Sequence, residues 1–496
     1  MPMSDQNKKV VIIGAGFAGL SAACTLAAEG MDVTILEKLD QAGGRARTLE
    51  EEGYLFDMGP SWYWLPDVFE EFFAGFGKKP SDYYRLERLD PSYRVFYGKN
   101  DFLDLPASAQ GVIDLFEKEE PGAGAKLKKY LNEAAFKYHL GIGELVRKPA
   151  DSWLEYMNWK VISGSLRLNV FQSFHAYVRR NFKNPRLFPI LEFPVIFLGA
   201  TPKKTPALYS LMNYADIALG TWYPMGGMSE VVKAMVTLAK ELGVKVNLNE
   251  EVVKVEAENA RVKAVHTRQA VYPATYVIGA GDYHHIEQKL LPPAFRRYNE
   301  KYWDSRDMAP SSLLYYLGIS KPLPALLHHN LLFDEDFGQH AKDLFDQPVW
   351  PEKPLLYISC TSKTDPAVAP AGLENLVVLI PVAPGLHDSQ DVRDKYFEYI
   401  LRKLAEVAGE DIRDHVVFRR DYSQQHFAVD YNAYKGNAYG LGNTLLQTAV
   451  LKPRMRSKLG NFWFAGQMTS PGPGVPPSII SGQVAAKQIL KAWRKP

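Results

Sequence analysis

Cysteine is all but missing from the chain: Cys24 and Cys360 stand alone among 496 residues. Two thiols so far apart exclude a disulfide framework and a cysteine-rich metal site, and the scarcity suits a reduced compartment. Net charge is missing too. Lys plus Arg number 58 and Asp plus Glu 56, which leaves +2, so no global charge argues for a nucleic-acid partner. Apolar residues at 46% and charged residues at 23% make an ordinary globular composition. Collagen, coiled coil and wholesale disorder are therefore excluded. The length is too great for one small core and implies two domains or three. Uncharged runs of spanning length are absent with one exception. Val10 to Ala28 carries no charge and follows Lys8-Lys9, as in an export signal or a span of ~20 residues. Gly14, Gly16 and Gly19, placed directly after the β-branched run Val10-Val11-Ile12-Ile13, favour a strand, loop and helix instead. A cytoplasmic protein is expected. Large rings are not scarce: 27 Tyr, 25 Phe and 9 Trp imply a large core or an apolar cavity.

Val10 to Ile13 reads as a buried parallel strand. Gly14-Ala15-Gly16-Phe17-Ala18-Gly19 then gives GxGxxG, and Ala18, Ala22, Ala23 and Leu26 continue as a helix with a small-residue face. Met31 to Leu36 is a second strand. It ends at Glu37, with Lys38 beside it, 23 positions beyond Gly14. One glycine permits the tight turn, another lets backbone approach a pyrophosphate, and the third lets helix and strand pack closely. The helix N-terminus offers its amides to phosphates, and Glu37 can accept from ribose hydroxyls. Gly43-Gly44-Arg45 follows almost at once and allows a second backbone approach with a guanidinium near the pyrophosphate. A second complete GxGxxG does not occur: Gly122-Ala-Gly124, Gly279-Ala-Gly281, Gly440-Leu-Gly442 and Gly472-Pro-Gly474 all lack the third glycine. A separate nicotinamide domain is not expected.

With GxGxxG, an acid and then GGR, the sequence resembles the large flavoprotein family of amine oxidases, protoporphyrinogen oxidase and carotenoid desaturases, which binds FAD. Gln41 stands where that family often has a basic residue. Two later blocks extend the likeness. Pro224 to Ser229 leads into a helix carrying Val231, Val232, Met235 and Leu238. A strand at 244–248 and a hairpin of Val252–Glu256 with Arg261–Val265 follow, then Tyr276-Val277-Ile278. Near the C-terminus, Phe462 to Gly466 is an apolar strand, and Pro471 to Ser478 precedes a helix whose buried face is Gly482, Ala485, Ala486, Ile489, Leu490 and Trp493. The positive end of that helix could face the flavin pyrimidine. The stretch Gly466-Gln467-Met468-Thr469-Ser470-Pro471-Gly472-Pro473-Gly474-Val475-Pro476 is similar to bacterial-type phytoene desaturases, as is Asp57-Met58-Gly59-Pro60-Ser61-Trp62. Amine oxidases usually carry an acid where this chain has Gln467, and desaturases commonly carry glycine where it has Met468.

The resemblance implies an α/β protein. A Rossmann-like FAD domain would be assembled from residues 1–75, 220–290 and 455–496, and an α+β substrate domain from 76–219 and 291–454. The apolar strand candidates 312–317, 355–359 and 376–382 would form an antiparallel wall of the substrate cavity. FAD contacts are expected from Gly14, Ala15, Gly16, Ala18, Gly19, Glu37, Lys38, Gly43, Gly44, Arg45, Gly59, Val252, Gly466, Gly474 and Val475. The implied reaction is desaturation of a carotenoid, most simply phytoene. Hydride passes from an allylic C–H to flavin and a proton leaves the vicinal carbon. The electrons would go on to oxygen or a quinone, and no catalytic base is named by the sequence. A carotene isomerase, an amine oxidase and a prenyl-protein binder on a relic flavin fold are the alternatives.

Residues 153–204 hold ten aromatics, eight Lys or Arg and two acids, Glu155 and Glu192. Basic heads beside apolar bodies suit a peripheral membrane surface, with 190–198 dipping into lipid or lining a tunnel mouth; a buried helix with basic flanks is the competing expectation. His284-His285 and His328-His329 are not expected to ligate metal. Glu144 and Arg147, at i and i+3, read as a surface ion pair.

Overall fold

The computed structural model describes residues 8–156, 168–169, 172–196 and 199–494. The uncharged N-terminal run divides into the strand Lys9–Ile13 and the helix Phe17–Ala27. That strand is central in a five-stranded parallel sheet, ordered Phe462–Phe464, Tyr276–Gly279, Lys9–Ile13, Asp32–Leu36, Lys245–Asn247. β-Branched residues fill it because strands covered on both faces need continuous apolar runs. Its strands come from the two ends and the middle of the chain. The C-terminal helix Val475–Trp493 lies on the first helix, and the fit is tight: a Cβ on Gly482 would stand 2.2 Å from the Ala18 carbonyl oxygen.

A second sheet of seven strands is ordered Val416–Tyr422, Ser311–Ile319, Glu374–Val382, Leu356–Ser359, His329–Leu332, Tyr93–Gly98, Asp101–Leu105. Every pairing is antiparallel except that of His329–Leu332 with Tyr93–Gly98. The three expected strands are its centre. Register and the two-residue period decide its faces. Leu313, Tyr315, Leu317, Val378 and Ile380 pack under the helix Gln390–Ala408 through Tyr396, Ile400 and Leu404. Leu314, Leu379, Tyr357 and Leu331 form a row on the opposite face.

The basic, aromatic segment departs from the expectation of lipid contact. Leu187–Ile196 is helical, and Ile190, Leu191, Glu192, Phe193 and Val195 are all buried, so these residues are core. Composition alone cannot separate a lipid-facing helix from a buried one. Arg179 bonds the buried Glu192, and Arg186 pairs with Asp101 and Glu119. Residues 157–167, 170, 171, 197 and 198 of that segment lie outside the described residues. Arg147 bonds Glu71, at 2.5 Å. No described helix is long and apolar enough to cross a membrane.

Candidate functional site

One cavity of about 2580 Å³, counted with its open mouth, is lined from both sheets. Thirteen of the fifteen residues expected to hold FAD are on its wall: Gly14, Gly16, Ala18, Glu37, Lys38, Gly43, Gly44, Arg45, Gly59, Val252, Gly466, Gly474 and Val475. Ala15 and Gly19 stand behind it. Ala15 donates its N–H to Glu37 Oε2 at 2.7 Å, which ties the loop to the end of the second strand. Gly19 packs on Gly14, where a Cβ would come within 2.0 Å of the carbonyl oxygen.

The wall fits a dinucleotide on three counts. Gly16 has no atom within 4 Å of where its Cβ would be, so the loop opens onto free space. The first helix starts there with no side-chain cap, leaving its amides for a ligand. Arg45 is half-buried, with its guanidinium 5.0 Å over the Tyr431 ring and Nη2 donating to the Asn437 carbonyl at 3.2 Å, yet its buried Nε has no partner. Burial draws the Arg45 pKa down, as expected of a cation lacking an anion. The Glu37 carboxyl also accepts from Leu39 N at 3.0 Å, and burial raises its pKa against those two bonds. Lys38 reaches across to the Val429 carbonyl at 2.5 Å and so holds the second insert against the loop.

Second-insert and aromatic residues make the rest of the wall. Ser312, Leu314, Tyr357 and Leu379 come from the seven-stranded sheet, and Trp62, Trp64, Ile142, Val146, Tyr209, Leu211 and Met212 from outside it. The antiparallel wall is thus as expected, and the cavity there is chiefly apolar. Trp62 stacks on His329 with ring centroids 4.0 Å apart and planes at 14°. His329 Nδ1 is 2.8 Å from the Tyr357 hydroxyl. Burial holds both His328 and His329 far below the ordinary imidazole pKa. Among the described residues, no group of three His, Cys, Asp or Glu could hold a metal.

Behind the wall, Asp57 accepts from Met228 N at 2.9 Å and caps the helix Met228–Glu241; burial raises its pKa to about 7. Gly227 admits that carboxylate, since a Cβ there would be 2.7 Å from Asp57 Oδ1. Met468 is buried in the core beside Phe464 and Tyr283 rather than on the wall, whereas Gln467 does line it. Sequence reasoning placed Tyr357 only within a wall strand and left His329, Tyr439 and Asn443 without a role in the site. Each is far in sequence from the glycine loop, and no local motif marks it.

The flavin containing amine oxidoreductase family matches residues 17–490. A carotenoid 3,4-desaturase of Haloarcula japonica is 41% identical over 494 residues, covering 99% of each chain. A zeta-carotene-forming phytoene desaturase of Myxococcus xanthus is 30% identical, covering 99% of this chain and 95% of its own. The fold is shared with an oxidoreductase of Methanosarcina mazei at a TM-score of 0.63 and 16% identity, over 97% of this chain and 100% of that one. A family match across nearly the whole chain, on a cavity built for a dinucleotide, settles membership: the protein belongs to the flavin containing amine oxidoreductases and is an FAD-dependent enzyme.

Proposed function

We propose that the protein is a carotenoid desaturase, and that the thirteen wall residues named above, backed by Ala15 and Gly19, hold its FAD. The observation that carries this reading is the single cavity, with dinucleotide-type glycines on one side and an apolar aromatic wall on the other. The flavin unit is assigned to residues 1–75, 220–290 and 455–496, and the substrate unit to 76–219 and 291–454.

FAD, when bound, supplies a hydride acceptor. The chain's own residues do the rest. Gly14, Gly16 and the first helix bind the pyrophosphate with Arg45, and Glu37 accepts from ribose. Leu314, Leu379, Trp62 and Tyr209 position an uncharged polyene and exclude water, since such a ligand offers nothing but apolar surface to recognise. Tyr357, hydrogen-bonded to His329 Nδ1, presents a fixed polar edge in the otherwise apolar wall and orients the polyene against it. An amine oxidase is disfavoured by Gln467 in place of an acid and by the apolar wall.

Phytoene is the simplest substrate. The 41% identity to a carotenoid 3,4-desaturase supports a second reading, in which the substrate is already conjugated and is desaturated near its end. The electrons leave to oxygen or a quinone. Access from a bilayer is assigned to exposed apolar side chains close in sequence to wall residues: Trp153 and Leu154 follow Val146, and Leu446 and Leu451 follow Asn443. The purified yellow protein is to be incubated with vesicles carrying phytoene or, separately, lycopene, with a quinone present. New conjugation from phytoene supports the first reading, and a red shift from lycopene alone supports the second. No spectral change with either, from flavin-loaded protein, rejects desaturation. An unchanged chromophore with altered double-bond geometry would mark an isomerase.

A further inference from the structure

Lys452 is an uncommon lysine. It is 3% exposed, and its Nζ has no hydrogen-bond partner. The Oδ1 of Asn443, a cavity-wall residue 4% exposed, is also buried and unpartnered. Both surround one spot: a Cβ on Gly472 would stand 2.9 Å from Asn443 Oδ1, 3.3 Å from Asn443 Nδ2 and 3.2 Å from Lys452 Nζ. Gly472 has a φ of +131°, a conformation L side chains rarely adopt. It lies between Pro471 and Pro473, both on the cavity wall, just ahead of Gly474 and Val475, where the C-terminal helix begins. The niche therefore sets one acceptor and one amide donor on the cavity wall, with one cation directly behind them, beside the uncapped positive end of a 19-residue helix.

Burying an ammonium without a counter-charge is costly. A ligand that repays this carries a carbonyl or an anion for Lys452 and an N–H beside a C=O for Asn443. The pyrimidine edge of a flavin has that pattern, and its N1–C2 end gains negative charge on reduction. Resting on the FAD reading, we propose that Asn443 and Lys452 receive the pyrimidine edge of the flavin, Asn443 pairing with its N–H and C=O and Lys452 stabilising the charge that reduction places there. Lys452 is thus a positioning residue that sets how readily the flavin accepts electrons. Burial alone pushes the Lys452 amine down to about 7, with no charged side chain acting on it, so its charge state responds to whatever anion arrives.

The test is the midpoint potential of bound FAD, measured by dye-coupled reduction of the holoenzyme and of Lys452→Met, Lys452→Gln and Lys452→Arg. Loss of the charge is expected to disfavour reduction by about tenfold, or about 30 mV for a two-electron couple, in the Met and Gln variants. Lys452→Arg should recover part of it. FAD content is expected to hold, because the pyrophosphate and ribose contacts are elsewhere. Parental potentials in Lys452→Met and Lys452→Gln would overturn the proposal, as would loss of FAD from all three variants. Failure of carotenoid conversion with an intact potential shift would instead reject the substrate reading and leave the niche standing.

Discussion

Gly19 and Gly14 touch so closely that a Cβ on Gly19 would fall 2.0 Å from the Gly14 carbonyl oxygen, whereas the Cβ direction of Gly16 is empty to 4 Å. The two glycines therefore do different work. Gly19 lets the first helix meet the loop, and Gly16 leaves room for a ligand. Gly19→Ala is expected to destabilise the protein by about 3 kcal/mol through backbone overlap. Gly16→Val should melt near the parent temperature while purifying with little FAD. Denaturant unfolding and flavin absorbance check both, and a fully flavinated Gly16→Val protein would displace the pyrophosphate from this loop.

Arg45 is expected to govern FAD affinity more than stability. Its Nε is buried without a partner, so the guanidinium is poised for a charge-assisted bond. Arg45→Gln should weaken FAD binding by roughly 10- to 100-fold. Titration of the flavin-stripped protein, followed by flavin fluorescence, measures this directly.

Tyr357→Phe keeps the ring on the cavity wall and removes the hydroxyl bonded to His329. Loss of this anchored hydroxyl is expected to lower kcat by roughly 10-fold through misplacement of the substrate, with no change in FAD content. A kcat equal to the parent's would remove this hydroxyl from substrate positioning. Tyr357→Trp is uninformative by comparison, since it refills the cavity.

Asp216 gives a stability prediction with a definite sign. It is buried in the π-helical turn Tyr214–Leu219, accepts from the Tyr93 hydroxyl at 2.8 Å, and burial raises its pKa from 3.8 to about 7. The folded state thus holds a proton that the unfolded state releases. The contribution of Asp216 is greatest below the unfolded pKa and is lost as pH rises toward the folded one, between about pH 4 and 7. Asp216→Asn, which cannot ionise, should be more stable than the parent at about pH 8 and lose that advantage toward about pH 5. Urea midpoints across this range decide it.

The proposed membrane association separates two groups of residues. Trp153 and Leu154 are 59% and 75% exposed and Leu446 is 77% exposed, so replacing the three with serine should release protein from vesicles without lowering its melting temperature. Arg179 answers to the buried Glu192 instead. Arg179→Gln should cost about 3 kcal/mol by stranding that carboxylate, whereas neutralising the exposed Arg180 and Lys183 should reduce only the salt-sensitive part of vesicle binding. Sedimentation with anionic vesicles, paired with thermal melts, distinguishes the outcomes.

The sequence by itself determined the glycine-loop side of the cavity. Phosphate recognition by backbone depends on local geometry, so GxGxxG, Glu37 and Gly43-Gly44-Arg45 carry their meaning within about forty residues of one another. The central strands of the second sheet were legible for a similar reason, since an apolar run of strand length has few other places to go. The tertiary structure alone decided the other side. Tyr357 meets His329 through strand register, and Asn443, Gly472 and Lys452 meet where two loops cross. No periodicity records such encounters. Residues 190–195 show the limit most clearly: apolar side chains obey the same rule of avoiding water whether lipid or protein covers them, and what covers these is the core.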